Sequence, residues 1–446
     1  MFGDVENMTK SNETSRAPER LIHMYMQDWF PSTNGTGTNN RIFSNLRAYL
    51  DLGYRVEVVC FQRRPDFRFE PIQGFDRVEW TFLKPKVVNS LFEKISYVAD
   101  IDVQRALNYR FKTRKAIREQ VEIRIGINPR AIHHFEYLNT ACAYIDLPEC
   151  KAIWSMHDLE SKFAEAHQQI RSELTNGRSY SWEGRAAKHQ RRAEEKAAQQ
   201  SRLTLCIAKH ERDYLREIWK CPHAEFFPMS IPDEAVPERR HPLGESEKLL
   251  MLHLGRIDSL PSYRSLEFLF TKIFPLLPYE VTEGIEFLIV GEQRESPKAM
   301  RIVELGNRFP FVRFLGFQED LKKQYAEADL QLVGSTEATG LRTRIIESFA
   351  YKVPVLSTTI GAEGVNGLEN GENIFLSDTP EAYSSMIEKL FHDRSLLTSV
   401  AEGGRRLYDR EYGRFAVAER LGSLLRTYFG ERNSPINEHD RYCPAN

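Results

Sequence analysis

Residues 21–61 constrain the fold more than any other stretch of this chain. LIHMYM is an apolar run of strand length. A loop rich in glycine, asparagine, serine and threonine follows (PSTNGTGTNN), then RIFSNLRAYLDLGY, then RVEVVCF. In the third piece Ile42, Leu46, Tyr49 and Leu50 recur at helical spacing and share one face. Gly53 stands where a left-handed C′ residue closes such a helix, and RVEVVCF reads as the next strand. Two strands joined through a helix rather than a tight turn run parallel. The segment therefore predicts a βαβ unit in a parallel sheet.

The alternation continues downstream. Ala131–Phe135, Ala152–Met156 and Leu203–Ile207 are short strand candidates, separated by long charged helices that include RALNYRFKTRKAIREQ and RAAKHQRRAEEKAAQQ. Composition shifts between about Phe227 and Lys248, where FPMSIPDEAVPERRHPLGESEK holds four prolines among many charges, as an exposed interdomain linker does. A second series then starts: KLLMLHLG (strand), SLEFLFTKIFPLL (helix), IEFLIVG and VRFLGF (strands), LKKQYAEA (helix) and LQLVG (strand). At 446 residues the chain exceeds one ordinary core, so two doubly wound α/β domains of about 200 residues with a cleft between them are expected. The predicted organisation is a polar leader over 1–20, a first domain over 21–232, a linker over 233–248, a second domain over 249–430 and a tail over 431–446. The amphipathic EYGRFAVAERLGSLLRTYF is helical and either stays on the second domain or crosses back to the first.

The bulk numbers exclude several classes. A net charge of −2 gives no global reason to bind nucleic acid. The six cysteines show neither CxxC nor metal-like spacing, which points to a reduced compartment without structural disulfides and to no metal centre. The first twenty residues lack the apolar stretch of a signal peptide, and no apolar run reaches the roughly eighteen residues needed to span a bilayer. A cytoplasmic location is expected. The stretch Arg105–Arg124 carries seven lysines and arginines against two glutamates. It reads as the wet face of a helix or, alternatively, as a peripheral contact with an anionic surface on the inner face of a membrane.

The segment VGSTEATGLRTRIIESFAYKVPVLSTTIGAEG, residues 333–364, carries the strongest chemical signal. Gly340, Arg342, Arg344 and Glu347 lead into an apolar helix, then Pro354 and a β-branched strand. Backbone N–H groups and fixed cations at a helix N-terminus suit an anionic diphosphate, and a carboxylate one turn further in suits ribose hydroxyls. An intrahelical ion pair is the plain alternative for Arg344 and Glu347, which lie at i and i+3. Arg256, in Gly255-Arg256-Ile257-Asp258 at the end of a predicted strand, lies at the carboxyl edge where open α/β sheets bind ligands. Its planar fork can grip two phosphate oxygens. In the first half, Gly35 and Gly37 follow the first strand and could present backbone N–H groups to a phosphate or sugar, or simply turn the chain. His157, after AIWSM, sits at another strand end and could hydrogen-bond a sugar hydroxyl or the reacting centre.

Taken in order, these motifs resemble the retaining glycosyltransferases of the GT-B fold, specifically family 4, also called group 1. They are HLGRID, VRFLGFQEDLKKQYAEADLQLV, GLRTRIIESFAYKVPVLSTTIGAEGV, GLENGENIFLSDTPEAYSSMIEKLFHD and the EYGRFAVAERL tail. The resemblance runs from about Leu249 to Leu425. In the first half it is carried by LIHMYMQDWFPSTNGTGTNNR and IWSMHDLES. It implies two Rossmann-like domains facing each other across a cleft. It further implies that Glu347 binds the ribose hydroxyls, that Arg256 and Arg344 hold the diphosphate, that Gly35 and Gly37 lie near donor phosphate and acceptor, and that His157 lies near the transferred sugar. Two positions depart from the pattern. Thr339 stands where the family's E-x7-E pair has its first acid, with Glu337 two residues earlier, and Ser262 replaces a lysine, leaving Arg264 as the nearest cation.

The expected reaction is transfer of a sugar from a nucleotide diphosphate sugar to a hydroxyl acceptor, with retention and without a metal or other cofactor. Arg256, Arg344 and helix-terminal N–H groups would stabilise the leaving diphosphate as an oxocarbenium-like centre develops. The resemblance favours front-face attack. The acceptor is a glycan, a lipid-linked sugar or a small molecule, in cell-surface glycan, glycolipid or polysaccharide synthesis. Two rivals remain: a GT-B nucleotide-sugar epimerase, which acts on donor alone, and a catalytically degenerate GT-B binding or assembly protein.

Overall fold

The computed structural model describes residues 20–27, 37–61, 74–83, 102–162, 181–232, 235–239, 241–336 and 341–431. Its first sheet holds β1 (Leu21–Gln27), β2 (Arg55–Phe61), β3 (Val78–Leu83), β4 (Ile132–Glu136), β5 (Ala152–Met156), β6 (Leu203–Cys206) and β7 (Ala224–Phe226). They lie in the order β3-β2-β1-β4-β5-β6-β7, all parallel. The second sheet holds β8 (Leu249–Leu254), β9 (Ile285–Val290), β10 (Val312–Gly316), β11 (Leu330–Val333), β12 (Val355–Ser357) and β13 (Phe375–Leu376). Their order is β10-β9-β8-β11-β12-β13, again parallel. Both sheets are doubly wound, and each reverses winding direction once, between β1 and β4 and between β8 and β11. Such reversals open crevices at the carboxyl ends of the strands.

Burial explains why these runs become strands. Met24 pairs with Val58 on one side and His134 on the other, and β1 is buried on both faces, as the central strand of a helix-covered parallel sheet must be. Helix α1 (Gly37–Asp51) lays Ile42, Leu46 and Tyr49 on this sheet. It ends through Gly53 at φ +79°, with Tyr54 N–H donating to Tyr49 O at 3.0 Å. In the second domain the helix Leu260–Phe268 passes into a π-turn (Leu269–Ile273) and a 3₁₀ turn (Phe274–Leu276). Pro275 supplies the reason, because its ring removes an N–H and clashes one turn back.

Other helices are α2 (Asp102–Ile127), α3 (Lys209–Glu217), α4 (Thr343–Ala350) and α5 (Arg414–Phe429). Although last among the described helices, α5 belongs to the first domain's core. Val417, Ala418, Leu421 and Leu425 pack in one cluster with Ile42, Leu46 and Leu52. Arg414 anchors its start through a two-pronged bond to Asp51, at 2.8 and 2.6 Å. The chain thus passes between domains twice. At the first passage Arg41 donates to the carbonyls of Phe227 (2.7 Å) and Pro228 (2.8 Å), Ser230 N–H donates to Ser44 Oγ (2.9 Å), and Ile231 N–H donates to Tyr408 Oη of the second domain (3.1 Å). No helix among the described residues is long and apolar enough to cross a membrane. The five described cysteines are buried free thiols.

Candidate active site

On the first-domain side, the strand ends carry a buried polar network. Glu136 is the last residue of β4 and has no exposed surface. Its Oε1 accepts from Asn45 Nδ2 (2.7 Å) and His134 Nε2 (2.9 Å), and its Oε2 accepts from His157 Nε2 (2.6 Å). Tyr49 Oη lies 2.8 Å from the other ring nitrogen of His134. Burial alone would push the Glu136 carboxyl up, but the bonds and charges of His134 and His157 outweigh it and hold the group well below the usual carboxylate range. His157 follows β5, and burial lowers its pKa against the support of Glu136.

The next residue, Tyr137, adopts φ +67°, a strained conformation for a bulky side chain, and its ring stacks on His157 with centroids 3.8 Å apart. Asp158 keeps a water-accessible side chain yet lies deep enough for desolvation, and then Glu160, to push it up to about 7 against the pull of Arg342.

On the second-domain side, two glycines let the strand ends meet. Gly255 (φ +148°) follows β8 and Gly291 (φ +159°) follows β9. A Cβ on Gly291 would stand 2.0 Å from Gly255 O, and one on Gly255 would stand 2.3 Å from Ser262 Oγ. Ser262 is thus buried against this turn. Arg256 emerges from the turn with its side chain 43% exposed and its Nε 2.8 Å from Asp258 Oδ1. Arg264 pairs with Glu267 at 3.4 Å.

Beyond β11, Arg342 donates to Ser335 Oγ at 2.9 Å. Burial lowers the Arg342 pKa to about 10, while Asp158 and Glu363 support its charge. Arg344 and Glu347, in the first turns of α4, form an ion pair at 2.5 Å. Burial disfavours the Arg344 charge, but Glu347 and Tyr325 more than offset it and raise its pKa. Glu347 also accepts from Tyr325 Oη at 2.9 Å and, across the domains, from Asn40 Nδ2 of α1 at 3.2 Å. A second bridge is apolar: Leu341 packs on Ile207, Ala208 and Met229.

The structure thus brings Arg344 and Glu347 into direct contact and places His157 and Arg342 at the facing strand ends and loops. Arg256 pairs with its own neighbour rather than with Glu347. Gly37 is the first residue of α1, whereas Gly35, Glu337, Thr339 and Gly340 lie outside the described residues. Sequence reasoning did not single out Glu136, Asn45, His134, Asn40 or Tyr325. A signal for two of them existed: His134 and Glu136 are polar and alternate in a short strand otherwise built for burial.

Two doubly wound sheets whose reversal points face a shared polar cleft define the GT-B class of fold. Solved structures agree. HepE from Anabaena, crystallised with UDP and glucose, covers 91% of this chain and 99% of its own at a TM-score of 0.60 and 13% identity. Sucrose-phosphate synthase from Thermosynechococcus elongatus covers 92% and 99% at 0.66 and 15%. The sequence pattern described as "Glycosyl transferases group 1" matches residues 248–393, and that described as "Glycosyltransferase Family 4" matches residues 35–228. The chain belongs to the group 1 glycosyltransferases. Among curated relatives, the lipopolysaccharide core biosynthesis glycosyltransferase LpsE of Rhizobium meliloti (strain 1021) is 32% identical over 145 residues. That match spans 32% of this chain and 42% of the relative, less than half of its length.

Proposed function

We propose that this chain transfers a sugar from a nucleotide diphosphate sugar to a hydroxyl acceptor, with retention at the anomeric carbon and without a metal ion, in the synthesis of a cell-surface glycan. The observation that carries the reading is the Arg342–Arg344–Glu347 group at the start of α4, facing the strand ends that bear His157 and Asp158. Cations and helix-terminal N–H groups on one wall suit a departing diphosphate, and the carboxylate suits ribose hydroxyls. Glu347 is assigned to the ribose, Arg256 and Arg344 to the diphosphate, Gly35, Gly37, Gly340 and Arg342 to the phosphate-facing loops, and His157 to the transferred sugar. Closure of the two domains would exclude water and limit donor hydrolysis. Support for a nucleotide-sugar donor comes from HepE, crystallised with UDP and glucose, and support for a glycan product comes from LpsE.

On the acceptor side, contact with an anionic membrane surface is proposed for α2, whose Ile123 and Ile127 are 53% and 78% exposed beside its basic residues. Co-sedimentation with anionic vesicles at low and high salt tests it.

The decisive experiment is a thermal-shift screen of UDP-, GDP- and ADP-sugars, followed by incubation of any stabilising donor with and without acceptor glycans. Sugar transfer that requires acceptor is expected. Isomerised donor without acceptor would establish an epimerase instead, and silence across the whole panel would overturn the catalytic reading.

A further inference from the structure

We propose that Glu136 is a positioning residue of this cleft: its carboxylate selects the His157 tautomer in which Nε2 carries the proton and Nδ1 faces the transferred sugar as an acceptor for one of its hydroxyls. The inference rests on the sugar-transfer reading above and deepens it by assigning a residue that sequence motifs do not mark.

The geometry makes the assignment. A carboxylate oxygen without a proton only accepts hydrogen bonds, so the 2.6 Å contact between Glu136 Oε2 and His157 Nε2 requires the proton on Nε2. Nδ1 is then the ring nitrogen not committed to Glu136. The ring cannot swing away, because it stacks on Tyr137 at 3.8 Å and is buried. Glu136 is itself immobilised: Asn45 and His134 donate to its Oε1, and Asn45 Nδ2 also reaches Ser155 Oγ at 3.0 Å.

A fully buried carboxylate is costly to desolvate, and such ionic groups add little to stability over apolar replacements. The position also matters: Glu136 terminates β4, one of the two strands at the reversal point of the first sheet. A charge at that point, aimed at a histidine of the cleft, orients a ligand-facing group in the way a carboxylate orients the histidine of a hydrolase triad.

The test combines a spectroscopic and a kinetic readout on the full chain. Protein labelled with 15N-histidine is examined by long-range proton–nitrogen NMR, with the His157 signals assigned by their loss in His157→Gln. In the unsubstituted protein His157 is expected with a protonated Nε2 and a bare Nδ1. Glu136→Gln, which keeps the shape but allows its amide to donate, is expected to shift His157 toward the Nδ1–H form. It should also lower kcat by about a hundredfold. Affinity for UDP, GDP or ADP, whichever binds, should change less than about twofold, because the nucleotide is assigned to the other domain. Glu136→Asp keeps the charge at shorter reach and should restore both the tautomer and part of kcat.

Two results would overturn the proposal: a His157 protonated on Nδ1 in the unsubstituted protein, or a Glu136→Gln protein with unchanged tautomer and unchanged kcat. If no donor is turned over by the unsubstituted protein, the transfer reading fails, and the NMR experiment still decides whether Glu136 sets the His157 tautomer.

Discussion

Glu347 accepts hydrogen bonds from three side chains. Oε2 takes the hydroxyl of Tyr325 and the guanidinium of Arg344, while Oε1 takes only the longer 3.2 Å bond from Asn40. A ribose hydroxyl competing for this carboxylate would displace Asn40 first and leave Tyr325 and Arg344 to keep the group oriented. Glu347→Gln should therefore lower kcat/KM for the donor by about ten- to a hundredfold, the worth of a charge-assisted hydrogen bond, as read by steady-state kinetics. Arg256→Ala should cost orders of magnitude in donor turnover with little change in melting temperature. Its side chain is exposed, and its ion pair with Asp258 is of a kind that contributes little stability. Unchanged turnover would remove Arg256 from the site. Arg256, Arg344, Glu347 and His157, the residues proposed for the site, are legible as candidates because each follows a recognisable apolar run or begins a recognisable helix. Glu136 and Asn40 are not, because what they do is defined by partners 21 and 307 residues away in sequence.

Among elements, the strands buried on both faces were readable with boundaries good to a residue, since a continuous apolar run flanked by polar turns leaves little choice. Three others escaped. β3 is an edge strand whose alternate residues meet solvent, and β7 and β13 are three and two residues long, too short for any periodicity. For α5 the sequence leaves two destinations open, the second domain or a return to the first, because an amphipathic pattern says that a helix docks but not on what. Its docking makes a measurable demand. Asp51 is 6% exposed and depends on the two-pronged bond from Arg414, with Arg47 only 3.5 Å away as a weaker second partner. Arg414→Ala should destabilise the protein by about 3 kcal/mol in urea unfolding, since it strands a buried carboxylate. Asp51→Asn combined with Arg414→Ala should cost less than the two single losses together, as expected for partners in contact.

For the whole molecule, the buried histidines set a pH dependence. Burial lowers His23 to about 4, His133 to about 3 and His253 to about 4, in each case from an ordinary 6.5. Their folded-state values lie below the unfolded ones, so between about pH 6.5 and 4 the unfolded chain binds more protons than the folded chain. Stability then rises with pH across that window and is lost on acidification, with each histidine adding up to about 1.4 kcal/mol per pH unit. Asp158, pushed up to about 7, acts in the opposite sense across part of this window, so the histidine share is read from a variant: in denaturant midpoints measured from pH 7 to 4.5, His253→Asn should reduce the slope by up to one proton. An unchanged slope in that variant would mean that the His253 ring reaches water in the native state.

The return of α5 to the first domain also bears on how the molecule is made. Synthesis runs from the N-terminus, so the sheet from β1 to β7 leaves the ribosome long before the helix that covers the Ile42–Leu46–Leu52 face. That face stays bare while nearly two hundred further residues are added. The first domain therefore cannot mature as an independent early unit. It is finished only when the second domain has been made and α5 has come back to cover this face, so a chain interrupted before Arg414 lacks Val417, Ala418, Leu421 and Leu425 from that core.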